Sequence, residues 1–287
     1  MSILVACSSA GDTGIDDATG LASAPIIHGS DSDAREDEAV LMQIRADLGM
    51  YACTATLLAP NLVLTARHCV SQLHDDDPTI TDTCDPRLLG DDSPAENMSF
   101  FVGPRRPGAR TKPAAKGKQI FHDQTTEGLC GHDIALVLLD REIPNAKIAK
   151  VRLTDSTRAG EKITAVGWGM TEKTDDPAVR QHRTGIEIDS VRPGSTPERG
   201  TAADFQVGES TCHGDSGGPA LSEKTHAVIG VVSRGDNGSP DERHPVLHCI
   251  DNAGGGGKTW GVYTKTSSAK DVIQRAAAAS GHELQSE

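Results

Sequence analysis

Two short apolar runs set the pattern of this chain. Leu62-Val63-Leu64 leads into Thr65, and Ile134 to Leu139 is a continuous apolar stretch of strand length. Both predict strands buried in a core, the second suited to a barrel interior. Near the C-terminus the pattern changes. Ser267 to Ala279 reads as a helix with a serine N-cap and Gly281 beyond its end. No stretch approaches the roughly 18 apolar residues that a membrane-spanning helix needs.

Composition narrows the fold class. The 287 residues can bury one large core or two medium ones, and 30 glycines with 15 prolines suit many short strands and turns. The net charge of −13 argues against nucleic acid and against electrostatic attachment to anionic lipid.

The chemistry lies in three separated motifs. Gly214-Asp215-Ser216-Gly217-Gly218-Pro219 puts a serine in a glycine-rich turn where backbone N–H groups converge on an oxyanion. Upstream stand Thr65-Ala66-Arg67-His68-Cys69 and Asp133-Ile134-Ala135-Leu136. Each alone has a bland reading: a structural His-Cys, a strand-edge aspartate, an ordinary loop. Together, in the order His…Asp…Ser, they supply a base, an orienting carboxylate and a nucleophile. A serine hydroxyl is almost fully protonated at neutral pH, so it needs a base within hydrogen-bond reach.

These motifs resemble the trypsin-like (chymotrypsin-fold) serine peptidases, from about Ile26 to the C-terminal helix. The resemblance implies an all-β fold: two six-stranded antiparallel β-barrels with the active site between them, plus a C-terminal α-helix. Residues 26–145 would form the first barrel, carrying His68 and Asp133. Residues 146–266 would form the second, carrying Ser216, and 267–287 the helix and tail. Residues 1–25 are expected to be a truncated signal followed by a flexible tether or propeptide. The implied roles are nucleophile for Ser216, general base for His68 and orienter for Asp133. The N–H groups of Gly214 and Ser216 would form the oxyanion hole, each donor being worth about 3 kcal/mol in the transition state. Ala165 to Gly169 resembles the segment that opens the second barrel. Val228 to Ser233 resembles the strand lining the cleft, with Ser233 placed to hydrogen-bond Asp133. Gly261 to Thr264 resembles the last cleft strand.

The resemblance also gives the cysteines a pattern. Cys53 and Cys69 would close the histidine loop, a bridge worth about 3 kcal/mol if unstrained. Cys212 would pair with Cys249 along the specificity pocket, and Cys84 and Cys130 remain. Six paired cysteines imply an oxidising compartment, although sequence by itself does not fix connectivity. The seventh, Cys7, sits in Leu4-Val5-Ala6-Cys7, which resembles a bacterial lipobox. Only five residues separate Met1 from Cys7, with no basic segment, so Met1 is expected to lie within a longer leader. The expectation is an exported surface or outer-membrane lipoprotein anchored through Cys7, with plain secretion as the alternative.

Ile26-Ile27-His28-Gly29 resembles the family's mature N-terminus, where a freed isoleucine amine pairs with the aspartate before the nucleophile, here Asp215. Pro25 stands where an activator of trypsin type requires Arg or Lys, so a different activator, trimming or another mature end is expected.

The cleft departs from the family in several places. Thr54-Ala55-Thr56 replaces Gly-Gly-Ser, and Arg67 replaces an alanine. Arg234 follows Ser233 where an aromatic is usual, which implies a taste for acidic residues near the cut. Ser210 would form the base of the primary pocket, with Gly235 and Gly261 as its walls. A neutral base and open walls imply a large apolar or aromatic P1 residue. Glu209, one residue away, keeps a basic P1 open. Asp75, Asp76, Asp77, Asp82, Asp85, Asp91 and Asp92 crowd one loop, which makes calcium a minor alternative to no cofactor at all. The histidines show no zinc-ligand spacing, so no metal site is expected. The substrate would be a protein or peptide and the chain a monomer. The rival reading is a catalytically silent family member serving as a surface-binding module. An intact triad disfavours it, and Pro25 is the one feature in its favour.

Overall fold

The computed structural model describes residues 26–287 except 47, 48, 75, 76, 78, 81, 126 and 127. The expectations at Cys7 and Pro25 lie outside the described residues.

The first six long strands are β1 (Ala39–Ala46), β2 (Gly49–Ala59), β3 (Leu62–Thr65), β4 (Met98–Phe101), β5 (Ala115–His122) and β6 (Ala135–Leu139). They close a barrel in the order β1-β2-β3-β6-β5-β4, with β4 returning to pair with β1. Closure leaves no unpaired sheet edge. The two apolar runs are β3 and β6, and all their residues are buried.

The next six are β7 (Lys162–Gly167), β8 (Gln181–Glu187), β9 (Asp204–Val207), β10 (Pro219–Ser222), β11 (Ala227–Asp236) and β12 (Trp260–Lys265). Their ladder runs β8-β7-β10-β11-β12-β9. Just past β8, the Ser190–Gln206 bridge joins that chain to β9 and completes the second barrel. Both barrels therefore repeat one strand order, first-second-third-sixth-fifth-fourth. Two short strands, Ser30–Asp31 and Lys150–Val151, extend the second sheet at β8 and β11.

The C-terminal helix differs from its sequence reading. Ser267 lies in a 3-10 turn, Thr266–Ala269, and the α-helix spans Lys270–Ser280. Thr266 Oγ1 donates to the Arg152 carbonyl at 2.6 Å, which ties the turn to the second barrel before the helix can start. Gly281 ends the helix with φ 76°, a left-handed conformation glycine adopts without penalty. The helix buries Val272, Ile273, Ala276 and Ala277 in the same apolar cluster as Leu62, Leu64 and Leu136. The last helix of the chain thus covers the first barrel. Disulfides join Cys53 to Cys69, Cys84 to Cys130 and Cys212 to Cys249, the pairing that the family resemblance implies.

Candidate active site

Strand register brings the first two motifs together. Thr65, the last residue of β3, pairs with Ala135, the first of β6. The chain leaving β3 reaches His68 three residues later, and Asp133 lies two residues before Ala135, so both sit at one end of the first barrel. His68 Nδ1 lies 2.8 Å from Asp133 Oδ2, and the His68 backbone N–H donates to Asp133 Oδ1 at 3.0 Å. Asp133 is fully buried, while 15% of the His68 side chain is exposed. Burial works against the Asp133 anion. The charge and hydrogen bonds of His68 and the Ser233 hydroxyl outweigh it and hold the carboxyl below its ordinary value. Burial likewise opposes the imidazolium of His68, but the Asp133 carboxylate prevails and raises its pKa above 6.5.

The serine turn belongs to the second barrel and is sewn to the first. The Thr54 N–H donates to the Ser216 carbonyl at 2.8 Å, and the Gly217 N–H to Val232 at 2.9 Å. Two glycines are required by geometry. Gly214 has φ +97° and Gly217 φ +80°, and a Cβ on Gly217 would lie 2.1 Å from Thr65 Oγ1. Among the described residues no backbone carbonyl takes the N–H of Gly214 or of Ser216. Ser216 opens on a cleft of about 580 Å³, and His68 on an adjoining lobe of about 390 Å³. Ser233 and Arg234 line both. Leu73, Ile80, Leu88 and Leu129 give the second lobe apolar walls.

Ser210, Gly235 and Gly261 line the larger lobe, and Ser210 is 1% exposed. Glu209 does not line it. Its carboxylate accepts the Asp251 N–H at 2.6 Å and lies 3.1 Å from His28 Nε2. The acids that do reach this lobe are Glu198, Asp236 and Glu242. Asp236 is paired with His248 Nδ1 at 3.0 Å.

Asp215 and Ile26 are both fully buried. The Asp215 carboxylate accepts the Gly169 N–H at 2.8 Å and the Cys212 N–H at 2.9 Å, with no cationic partner among the described residues. Burial outweighs both donors and pushes its pKa up to about 7.

Three features of the site differ from the sequence reading or were missed by it. Thr54 is more than a tolerated small residue. Its hydroxyl donates to the Gly214 carbonyl at 3.1 Å and accepts the Trp168 N–H at 3.1 Å. The departure from glycine was the signal, but its meaning needs the fold. Thr54→Val is expected to orphan the buried Trp168 N–H at a cost of about 1–3 kcal/mol. A fall in Tm with reduced turnover on unfolding-free controls would measure it; an unchanged Tm would count against this role. Arg234 does not offer a free cation to substrate, because only 6% of its side chain is exposed and it is paired with buried Asp204 at 3.1 Å. The expected preference for acidic residues therefore loses its basis. Four aspartates of the crowded loop, Asp77, Asp82, Asp85 and Asp92, have local partners. Asp77 caps Thr79, Asp82 accepts the Cys84 N–H, Asp85 holds Arg87 and Asp92 pairs with His122.

The Trypsin family model matches residues 26–273. Trypsin of Saccharopolyspora erythraea is 25% identical over 220 residues, covering 74% of this chain and 87% of that protein. Platelet-aggregating proteinase PA-BJ of Bothrops jararaca is 30% identical over 213 residues, 68% of this chain and 78% of its own. Phenoloxidase-activating factor 1 of Holotrichia diomphalia is 25% identical over 247 residues, and the match spans 61% of that protein. With two barrels of one topology, a His–Asp pair at the end of the first and a glycine-framed serine on the second, the chain belongs to the trypsin family of serine endopeptidases.

Proposed function

We propose that the protein is an exported endopeptidase that cuts peptide bonds through an acyl-enzyme on Ser216. The observation that carries this reading is the double clamp of His68 on buried Asp133, with Gly217 of the serine turn packed against Thr65 and Ala66, which lead into His68. Asp133 fixes the tautomer with hydrogen on Nδ1, which leaves Nε2 as the acceptor. Ser216 Oγ attacks the carbonyl carbon as its proton passes to His68 Nε2. The oxyanion forms against the N–H groups of Gly214 and Ser216, which no backbone carbonyl takes among the described residues. The C–N bond then breaks, and His68 returns the proton to the leaving amine. Water repeats the sequence on the ester and frees Ser216.

Because Asp133 raises the pKa of His68, the acid limb of kcat/KM is expected to have its midpoint above pH 6.5. Activity would be full above that pKa and lost as pH falls through it. A rate independent of pH down to 4 would remove His68 from the role of base.

The primary pocket favours a large apolar or aromatic P1 residue, since Ser210 is neutral, Gly235 and Gly261 leave the walls open, and Glu209 is turned to His28. The second reading, a basic P1, rests on Asp236 and Glu242 among the residues lining this lobe. Chromogenic peptides ending in Phe or Leu are expected to be cut faster than those ending in Arg, and the reverse order would select the second reading. Three disulfides and the relatives' family fit export into an oxidising compartment. The chain needs no second copy to complete its cleft, so it is assigned as a monomer.

A further inference from the structure

The Glu209 carboxylate stays out of the cleft, yet it sits where three separate segments meet. Its Oε1 lies 3.1 Å from His28 Nε2, and its Oε2 accepts the Asp251 N–H at 2.6 Å. The Glu209 carbonyl accepts Arg183 Nη1 at 2.8 Å, and the same nitrogen donates to the Ile27 carbonyl at 2.9 Å. Only 13% of the Glu209 side chain is exposed. Asp251 extends the bridge, because its carboxylate accepts the Thr259 N–H at 2.8 Å and pairs with Lys258. The segments so joined are the N-terminal stretch 26–28, the chain entering Ser210, and the loop that leads into β12.

Both ends of this bridge reach the larger lobe of the cleft. Ser210 follows Glu209 directly, and Thr259 precedes Trp260 and Gly261; all four line the lobe. Apolar packing follows the same path. Ile27 is fully buried in one cluster with Cys212 and Cys249, against which Ile250 packs. An ionised carboxylate only accepts hydrogen bonds, so His28 presents a hydrogen on Nε2 and both Glu209 oxygens are occupied. The His28 backbone N–H is held as well, by Glu172 Oε2 at 3.4 Å. None of these groups takes part in the bond-making steps at Ser216.

We propose that Glu209 is a positioning residue of the primary pocket: anchored on His28, it fixes Ser210 on one side of the pocket and, through Asp251, Thr259 on the other. It does not touch substrate. A pair between Ile26 and Asp215 would bear on the oxyanion turn, and so on kcat. Glu209 bears on the pocket lining, and so on the binding of the P1 side chain.

This inference rests on the reading of the larger lobe as the primary pocket, and the test separates the two. Glu209→Ala, Glu209→Gln, His28→Ala and the double alanine variant are compared in the chain freed at Ile26. Two esters are used, one with the wild type's preferred large P1 residue and one with alanine at P1, and active sites are counted by fluorophosphonate titration. Glu209→Ala is expected to raise KM for the large ester about tenfold, the loss of a hydrogen bond to a charged group. Its kcat, and both constants for the alanine ester, should change little. Glu209→Gln keeps an acceptor for the Asp251 N–H and should recover most of the loss. His28→Ala should raise the same KM by a smaller factor, and the double variant should be no worse than Glu209→Ala. A merely structural role would lower Tm and the titratable fraction without separating the two esters. Equal losses on both esters, an unchanged KM for the large one, or additive losses in the double variant would overturn the proposal. If Glu209→Ala does not accumulate folded, His28→Ala carries the test, and it must raise KM for the large ester alone. A wild type that does not distinguish the two esters would overturn the pocket reading, and the role of Glu209 with it.

Discussion

Replacing Ser216 by alanine is expected to lower kcat about a million-fold and to abolish fluorophosphonate labelling. KM and Tm should change little, because Ser216 faces the cleft and its carbonyl, not its hydroxyl, takes the Thr54 N–H. His68→Ala on the same background should add almost nothing, since base and nucleophile act as one unit. Asp133→Asn should cost less, about 10⁴-fold, by favouring the wrong tautomer of His68. That variant also leaves an amide facing two N–H donors of His68, so some loss of stability is expected with it. Labelling that survives Ser216→Ala would move the nucleophile elsewhere. An unlabelled wild type with a free Ile26 would favour the silent binding module.

The second large effect is expected from freeing Ile26. Asp215 is buried with two N–H donors and a pKa of about 7, which is the state of a carboxyl waiting for a cation. A new ammonium at Ile26 would supply it. An ion pair at a buried aspartate is worth about 3 kcal/mol against the unpaired charge, or roughly a hundredfold in the population of an ordered oxyanion loop. A chain carrying an engineered cleavage site before Ile26 should therefore gain activity by about that factor on cutting. The linkage has a definite sign. In the uncut chain Asp215 holds its proton more tightly folded than unfolded, so its contribution to stability is full below pH 3.8 and is lost as pH rises through about 7. The loss is on the order of 4 kcal/mol for so buried a group. The cut chain, with Asp215 paired, should not show it, so the Tm gap between the two forms should widen from pH 5 to pH 8. Equal activity and parallel Tm curves would rule out Ile26 as the activating terminus.

The sequence made the architecture legible because the apolar runs are short and strictly local. Leu62 to Thr65 and Ala135 to Leu139 became strands wherever a core would accept them, and glycine at 214 and 217 announced a turn no other residue could make. His68 and Asp133 were legible as motifs, but their contact depended on the pairing of Thr65 with Ala135, a register that no local pattern encodes. The orientation of polar side chains was least legible. Arg234 reads as a cleft cation until Asp204, some 30 residues earlier, and the carbonyls of 197 and 198 are brought beneath it. Glu209 reads as a pocket acid until His28 and the Asp251 N–H claim it. Thr54 reads as a filler until its hydroxyl meets Gly214 from 160 residues away. The helix start slipped from Ser267 to Lys270 for the same reason, a tertiary bond from Thr266 overriding a local cap.

The return of the last helix to the first barrel has a consequence for synthesis. Leu139 and Ile273 share one cluster, yet 134 residues separate them along the chain. At about 5–20 residues per second, a ribosome needs roughly 7–27 s to cover that interval. Throughout it the first barrel waits with the face that receives Val272 and Ile273 uncovered. A nascent chain halted just before that helix already carries every residue that lines the cleft, Gly261 being the last, yet is left with an exposed apolar face. Completion of the polypeptide, rather than completion of its catalytic motifs, is what first makes the molecule whole.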